Sequence, residues 1–324
     1  MLRIAAPLLS VVTLLGMAVA STEAGAEASE EPPRFEVPAP VGPLTFVVYG
    51  DTRFTQRANV VNAPARRALV DHITQEHPAA VLIGGDLVYE GSNRDDYETY
   101  RIETAPWSRQ DVPVFLALGN HEFRGCASEN VEPCLENWWN AVAPRPLRPH
   151  RWYSVLFGSS LLALILDSDS ALKAGSEQRL WLERQIAGVD AQIKFILVLM
   201  HYPPVRDPFL PGGRDEKEVA RYLSRHAQSL PARVVVVGSH VHNYERYSRD
   251  GVTYLVSGGG GAKPIPVPRL FGEQSRLKTS VNFHYLRFVL EDERLTGTMV
   301  RFEASARAGD PWTEPDHFEV NAKQ

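Results

Sequence analysis

Short runs of apolar, largely β-branched residues recur along the chain and alternate with stretches that have a helical pattern. Such runs are typical of strands buried on both faces of a sheet. Pro64–Gln75 carries apolar residues at helical spacing, and Asn93–Ile102 begins with an Asn cap over acidic first-turn residues. This alternation predicts an α/β fold with helices outside the sheet. The five buried runs are Thr45–Gly50, Ala80–Gly84, Pro113–Gly119, Lys194–Met200 and Arg233–Gly238.

The second half of the chain has a more antiparallel pattern. We expect a hairpin from Tyr153–Leu156 and Leu161–Leu166, and two closing strands within Tyr285–Phe302. Further helices are predicted over Gly175–Ile186 and Glu216–Ala227. Residues 44–324 contain no second linker, so we expect them to form one domain of more than one layer.

The first 20 residues have the pattern of a secretory signal peptide. One charge, Arg3, precedes an apolar run of 17 residues, and small residues favour cleavage after Ala20 or, alternatively, after Ala26. An uncleaved membrane anchor is the alternative, but the run is shorter than the roughly 20 residues usually needed to span a bilayer. We therefore expect a secreted or periplasmic protein that is not inserted in a membrane after cleavage.

Residues 21–43 are rich in Glu, Ala and Pro and are predicted to form a flexible acidic leader. The two cysteines, Cys126 and Cys134, are eight positions apart. In an oxidising compartment such a pair is expected to form a disulfide, the alternative being two free thiols.

Composition narrows the range of partners. The chain has 324 residues, of which 44% are hydrophobic and 23% charged, as in folded soluble proteins. Its net charge of -5 lacks the basic excess that a protein bound to a nucleic acid duplex uses to neutralise phosphates.

Each buried run is followed by polar residues that can bind a metal. Because ligands of open α/β sheets bind at the carboxyl ends of the strands, we expect these side chains to converge. Taken singly, each could instead be a turn residue or a hydrogen-bonding side chain. Together they exceed the ligands of one tetrahedral ion and indicate two ions, Fe, Mn or Zn, that share a carboxylate. The ligand-type residues are Asp51, Asp86, Asn120, His201, His240 and His242, and His121 follows Asn120.

Five sequence blocks, GDTR, GGDLVYEG, GNHE, MHYPP and GSHVHNYER, resemble those of the calcineurin-like metallophosphoesterases. HNYER, LDSDS and the spacing of Gln178 and Trp181 are most similar to the purple acid phosphatase branch. The resemblance implies a four-layer α/β/β/α sandwich, in which two mixed sheets are flanked by helices and hold a dinuclear metal site at their strand ends. Residues 44–324 would be the catalytic domain.

The resemblance also implies a role for each residue. Asp86 would bridge the two ions. Asp51 and His242 would bind the first ion, and Asn120, His201 and His240 the second. His121 would face the substrate as a general acid or a phosphate contact, while a metal-bound hydroxide attacks phosphorus.

Arg53 departs from the family pattern, and Tyr89 has two alternative roles. Arg53 stands where many members have a histidine ligand, and a guanidinium group has no lone pair for a metal. Arg53 would bind the substrate phosphate, or it would pair with an acid such as Glu90. Tyr89 lies where purple acid phosphatases place a metal-bound tyrosinate, and the alternative is that it packs at the strand end.

We therefore expect an exported, metal-dependent phosphoesterase that hydrolyses small phosphate esters in the manner of an acid phosphatase. One alternative is a phosphodiesterase that acts on nucleotides or phospholipid headgroups. Another is a non-catalytic metal- or phosphate-binding protein with the same fold. The sequence leaves the oligomeric state open.

Overall fold

The structure, a computed structural model, describes residues 31–141, 147–207, 210, 212–213, 215–265, 283–303 and 310–323. The predicted signal peptide at residues 1–20 lies outside the described residues, as does the first part of the predicted leader. The described residues from Pro32 onward belong to one compact unit. No helix among the described residues is long and apolar enough to cross a membrane.

The described residues contain thirteen strands in two mixed sheets. In chain order they are β1 (Arg34–Val37), β2 (Leu44–Tyr49), β3 (Ala80–Ile83), β4 (Val114–Leu116), β5 (Tyr153–Phe157), β6 (Leu161–Ile165), β7 (Phe195–Leu199), β8 (Arg233–Gly238), β9 (Tyr244–Arg249), β10 (Val252–Ser257), β11 (Phe283–Glu291), β12 (Arg294–Phe302) and β13 (Trp312–Asn321). The α-helices are α1 (Ala63–Gln75), α2 (Arg94–Glu103), α3 (Ala105–Arg109), α4 (Glu132–Ala141), α5 (Glu177–Ala187) and α6 (Glu216–His226).

We call the two sheets sheet I and sheet II. Sheet I has the order β13-β12-β11-β2-β3-β4, and its strands β2, β3 and β4 are parallel. Sheet II has the order β1-β5-β6-β7-β8-β10-β9, with β6, β7, β8 and β10 parallel. All five predicted buried runs are strands of these parallel stretches. The predicted hairpin is confirmed as β5 and β6, and the predicted closing strands as β11 and β12.

The main core lies between the sheets. Phe46 of sheet I and Phe157 of sheet II have ring centroids 4.8 Å apart. In β7, Leu197 belongs to this inner core, whereas Val198 packs on the other face with Trp181 of α5 and with α6. On the far side of sheet I, α1 packs against β11 and β12. The predicted α/β/β/α sandwich of two mixed sheets with outer helices is therefore confirmed.

The predicted flexible leader is wrong at its end, because Arg34–Val37 forms strand β1 and pairs with β5 at the edge of sheet II. Its side chains alternate, with Val37 buried and Glu36 exposed. Phe35 packs edge-on to Tyr153, at 5.5 Å between ring centroids. Four residues suffice for an edge strand because β5 already provides the hydrogen-bonding partner and the apolar face.

The predicted disulfide between Cys126 and Cys134 is present. It links the loop that follows the 3₁₀ turn Asn120–Phe123 to α4. A closed loop of this length restricts the unfolded chain by roughly 2 to 3 kcal/mol in the chain-entropy account. The disulfide therefore holds a segment that leaves directly from the predicted metal site.

Candidate metal centre

The predicted ligands lie at the carboxyl ends of β2, β3, β4, β7 and β8, where both sheets open on the same side. Four of the residues there have a left-handed backbone although none is glycine, with φ of 57° at Asp51, 46° at Arg53, 53° at Asp86 and 64° at His240. This conformation is costly for a residue with a Cβ and is concentrated at functional sites. The strained backbone at these strand ends is therefore consistent with a functional site.

One cluster of ligand atoms surrounds His201. Its Nε2 lies 3.1 Å from Asn120 Oδ1, 3.2 Å from His240 Nδ1 and 3.3 Å from Asp86 Oδ1. Its Nδ1 lies 2.9 Å from the carbonyl oxygen of Gly84, to which it donates, so Nε2 presents a lone pair. Lone pairs that face one another in a buried site need a cation between them. These are the four residues predicted for the second ion.

A second cluster forms around Asp51. Asp51 Oδ2 accepts the backbone N–H of His240 at 2.8 Å, whereas Oδ1 is buried and accepts no hydrogen bond from the described residues. His242 Nε2 lies 3.5 Å from this Oδ1, and His242 Nδ1 donates to the carbonyl oxygen of Lys263 at 2.7 Å. An orphaned carboxylate oxygen beside an imidazole lone pair fits the predicted first ion.

The two buried carboxylates titrate in opposite directions. Burial, followed by the nearby charge of Asp86, raises the pKa of Asp51 well above its usual value. Burial also acts on Asp86, but the adjacent His201 and His121 outweigh it and lower the pKa of Asp86. One raised and one lowered pKa is the behaviour of two carboxylates that share a site. A cation bound between them would allow both to be ionised.

The histidines are in the protonation state that binds metal. Burial lowers the pKa of His240 to about 3 and that of His242 to about 4. Burial also lowers the pKa of His201. Neutral imidazole is the metal ligand, and the residues present therefore fit a pair of metal ions.

Glu122 belongs to the candidate site, although no role was predicted for it from the sequence. Its buried carboxylate accepts four backbone N–H groups, from Asp86 at 2.9 Å, Leu87 at 2.8 Å, Val88 at 3.3 Å and Gly119 at 2.7 Å. Burial and then repulsion from Asp86 raise its pKa against the lowering effect of these donors. Glu122 thus fixes the loop that carries Asp86. The only available signal was its place at the end of GNHE.

His121 lies beside the proposed ligands, and one of its ring nitrogens forms a hydrogen bond with the backbone. Its backbone N–H donates to Asp86 Oδ1 at 2.9 Å, and its Nδ1 donates to the carbonyl oxygen of Tyr89 at 2.6 Å. Its Nε2 lies 3.8 Å from Asp86 Oδ2 and faces the centre. Its predicted contact with substrate stays a prediction.

Arg53 pairs with Asp86, not with Glu90. Arg53 Nη2 lies 3.1 Å from Asp86 Oδ2, while Glu90 pairs with Arg57 at 2.8 Å. Arg53 therefore pairs with an acid, as one alternative predicts, but the acid is Asp86 and not Glu90. The backbone N–H of Arg53 also donates to the carbonyl oxygen of Asp86 at 2.9 Å, which holds the two residues next to each other. Arg53 Nε is buried without a partner among the described residues, so one donor of this guanidinium group is still available.

Tyr89 has a packed ring. The guanidinium carbon of Arg124 lies 4.2 Å from its ring centroid and that of Arg57 lies 5.2 Å away, both within cation–π distance. The ring centroid is 5.3 Å from that of His121. These contacts account for the ring, and ligation by the hydroxyl group stays a prediction.

A cleft of about 660 Å³ adjoins the second cluster. It is lined by Asn120 and His240 together with Ser168, Asp169 and Tyr202. Its volume lies within the range of roughly 300 to 1,000 Å³ that is usual for small-molecule sites. The centre therefore has room beside it for the organic part of a substrate.

Two mixed sheets flanked by helices, with carboxylates, an amide and imidazoles meeting at the strand ends, define a protein with a dinuclear metal site. The family model for calcineurin-like phosphoesterase matches residues 44–244, and the chain belongs to this family. The resemblance found in the sequence is confirmed, including its similarity to purple acid phosphatases.

Curated relatives include two proteins of Arabidopsis thaliana. "Probable purple acid phosphatase 20" is 24% identical over 251 residues, which cover 73% of this chain and 56% of the relative. "Purple acid phosphatase 18" is 25% identical over 268 residues, covering 77% and 57%. The chain thus spans little more than half the length of these relatives.

Solved structures show the same fold. The purple acid phosphatase PPD1 from yellow lupin (Lupinus luteus) seeds aligns with a TM-score of 0.67 and 19% identity, covering 88% of this chain and 55% of that one. A dimetal phosphatase from Danio rerio aligns with a TM-score of 0.58 and 14% identity, covering 86% and 99%.

Proposed function

We propose that the chain is a metal-dependent phosphoric ester hydrolase of the acid phosphatase type. The observation that carries this proposal is the pair of ligand clusters that meet at Asp86, one around His201 and one around Asp51. Family membership and the purple acid phosphatase relatives support it. The proposed substrate is a small phosphate ester, and the proposed cofactor is a pair of Fe, Mn or Zn ions.

Two bound ions would supply a Lewis acid for the phosphoryl oxygens and lower the pKa of water. The protein contributes orientation. Backbone carbonyls of Gly84 and Lys263 fix the tautomers of His201 and His242, so the Nε2 lone pairs point to the centre before any metal arrives. Asp86 would bridge the ions, because ligand atoms of Asp51, Asp86 and His201 all lie within 4.8 Å of one another, which puts Asp86 beside both clusters.

His121 and Arg53 are proposed to act on the substrate. With Nδ1 of His121 held by Tyr89, its Nε2 is the atom that can hold or deliver a proton at the leaving oxygen. The Nε–H of Arg53 is buried beside the centre with no partner among the described residues, and it would donate to a phosphoryl oxygen. We further propose that the protein is secreted or periplasmic. The N-terminal pattern of a signal peptide and the disulfide, which persists in oxidising compartments, both support this.

The test compares the rates at which protein loaded with Mn, Fe or Zn cleaves different phosphate esters. We expect para-nitrophenyl phosphate to be cleaved faster than its bis-ester. We also expect His121→Ala to lower kcat by roughly 10² to 10⁴-fold while the metal content stays at two ions per chain. The matched control is His317→Ala, because His317 contacts Thr298 far from the centre.

Each contrary result is informative. Faster cleavage of the bis-ester would favour the phosphodiesterase alternative. A fully loaded protein that binds phosphate but cleaves neither ester would favour the non-catalytic alternative. An unchanged kcat in His121→Ala would remove the proposed role of His121.

A further inference from the structure

A second concave surface lies on the outer face of sheet II, on the α6 layer. We call it the α6 groove. Its volume is about 630 Å³, and its floor is formed by Pro204, Val205, Ala220 and Tyr254. Five cationic side chains and one carboxylate line it, namely Arg206, Lys217, Arg221, Arg225, Arg249 and Asp250. A chain with a net charge of -5 thus carries a strongly positive groove.

Three of these cations form a row on one helix. Lys217, Arg221 and Arg225 are four residues apart on α6, so they share one face and advance by about 6 Å at each step. Like charges at this spacing destabilise a helix. Among the described residues, neither carboxylate of the first turn of α6 forms an ion pair with this row. Glu216 is buried at the cleft beside the metal centre, and Glu218 accepts the backbone N–H of Ala174 at 3.4 Å.

The row is not neutralised by the protein. Within the part of the chain that the structure describes, Lys217, Arg221 and Arg225 are exposed and have no carboxylate at ion-pairing distance. The neighbouring helix α5 shows the contrast, because its Arg179 pairs with Glu183 at 2.8 Å. A repulsive row of unpaired cations in a concavity is what an anionic ligand with several charges requires.

We propose that the α6 groove binds an inorganic oligophosphate chain. A linear anion with closely spaced charges can contact all three steps of the row at once. A concave surface suits a chain that enters it better than it suits the plane of a lipid bilayer. Tyr254, the aromatic residue of the floor, is buried and cannot stack on a nucleic acid base. The proposal is independent of the reaction proposed for the metal centre.

The test measures binding of a fluorescent, defined-length polyphosphate to the metal-loaded protein, with excess orthophosphate present to occupy the metal centre. The variant is K217Q/R221Q/R225Q, which removes the three charges and keeps helix propensity. The control is R67Q/R94Q/R109Q, which removes the same charge from α1–α3 on the opposite outer layer. We expect the groove variant to raise Kd at least tenfold and the control to change it less than about threefold.

The salt dependence gives a second readout. Three lost contacts should lower the slope of log K against log salt concentration by about 2 to 3, by analogy with phosphate contacts to nucleic acids. Because like-charge repulsion is removed, the Tm of the groove variant should not fall. If the triple variant fails to fold, Arg221→Gln alone is compared with Arg94→Gln.

Three outcomes would overturn the proposal. The groove variant and the control could bind polyphosphate equally. Single-stranded DNA or vesicles of anionic lipid could bind more tightly than polyphosphate and lose that binding in the groove variant. Finally, Asp86→Asn could abolish polyphosphate binding while the groove variant keeps it, which would place the binding at the metal centre.

Discussion

The two sheets contribute different chemistry to the metal centre. Sheet I supplies the proposed oxygen ligands, which follow β2, β3 and β4. Sheet II supplies the proposed nitrogen ligands, which follow β7 and β8. The oxygen side consists of Asp51, Asp86 and Asn120, and the nitrogen side of His201, His240 and His242.

Both ligand clusters cross this boundary. Asp51 of sheet I faces His242 of sheet II, and Asn120 of sheet I faces His201 of sheet II. Each proposed ion would therefore hold the two sheets together at their open ends. Metal binding and sheet packing are then linked, and loaded protein should unfold at a higher temperature than chelated protein.

The largest effect is expected from the oxygen ligand common to both clusters. Asp86→Asn removes a charge that both ions would share, and it leaves Arg53 without its ion pair. We expect both ions to be lost, with turnover below detection and no rise in Tm on addition of metal. Elemental analysis and thermal unfolding measure this. Asp71→Asn, an exposed position on α1, is the control, and two retained ions per chain would refute the bridging role.

A smaller effect is expected from the nitrogen side. His242 contacts the Asp51 cluster alone, so His242→Ala should cost one ion per chain and leave the one at His201. Elemental analysis would then give one ion instead of two, with a smaller metal-induced rise in Tm than in the unchanged protein. His226→Ala, at an exposed position of α6, should keep both ions. Loss of both ions in His242→Ala would show that the clusters do not fill separately.

The smallest effect on turnover is expected from Tyr89→Phe, which keeps the ring between Arg57 and Arg124 and removes one hydroxyl group. If that hydroxyl binds ferric iron, the iron-loaded protein has a visible charge-transfer band that the variant lacks. Absorption spectroscopy decides this. A band unchanged in Tyr89→Phe, or a colourless ferric protein, would leave Tyr89 as a packing residue.

Much of this architecture could be predicted because its signals are local. Runs such as Lys194–Met200 are too apolar to lie outside a core, and a polar residue directly after such a run must lie at the sheet edge. Strand β1 gave no such signal, because four residues with two inward side chains depend on a partner, β5, that is more than a hundred residues away. Strand β9, with the sequence YERYSR, was not predicted either, because it also depends on its partner strand, β10.

The details of the site depended on contacts distant in sequence. The role of Glu122 arises from N–H groups of Asp86, Leu87 and Val88, some 35 positions earlier, and from Gly119 nearby. Arg53 pairs with Asp86, which lies 33 positions later and accepts both its backbone N–H and its side chain. Sequence periodicity carries no information about either. The cation row of α6 is visible in the sequence, but only the three-dimensional structure shows that no carboxylate of the described residues pairs with it.

The backbone carbonyls that hold the histidine rings have a consequence for metal choice. Because Gly84 and Lys263 orient His201 and His242 through atoms that never touch a metal, the cavity takes its form from the polypeptide and not from the ion. Its donors are carboxylate, amide and imidazole, which several first-row metals accept. The donor types therefore do not select one of these metals, and selection would rest on the geometry that the polypeptide imposes and on the supply of metal.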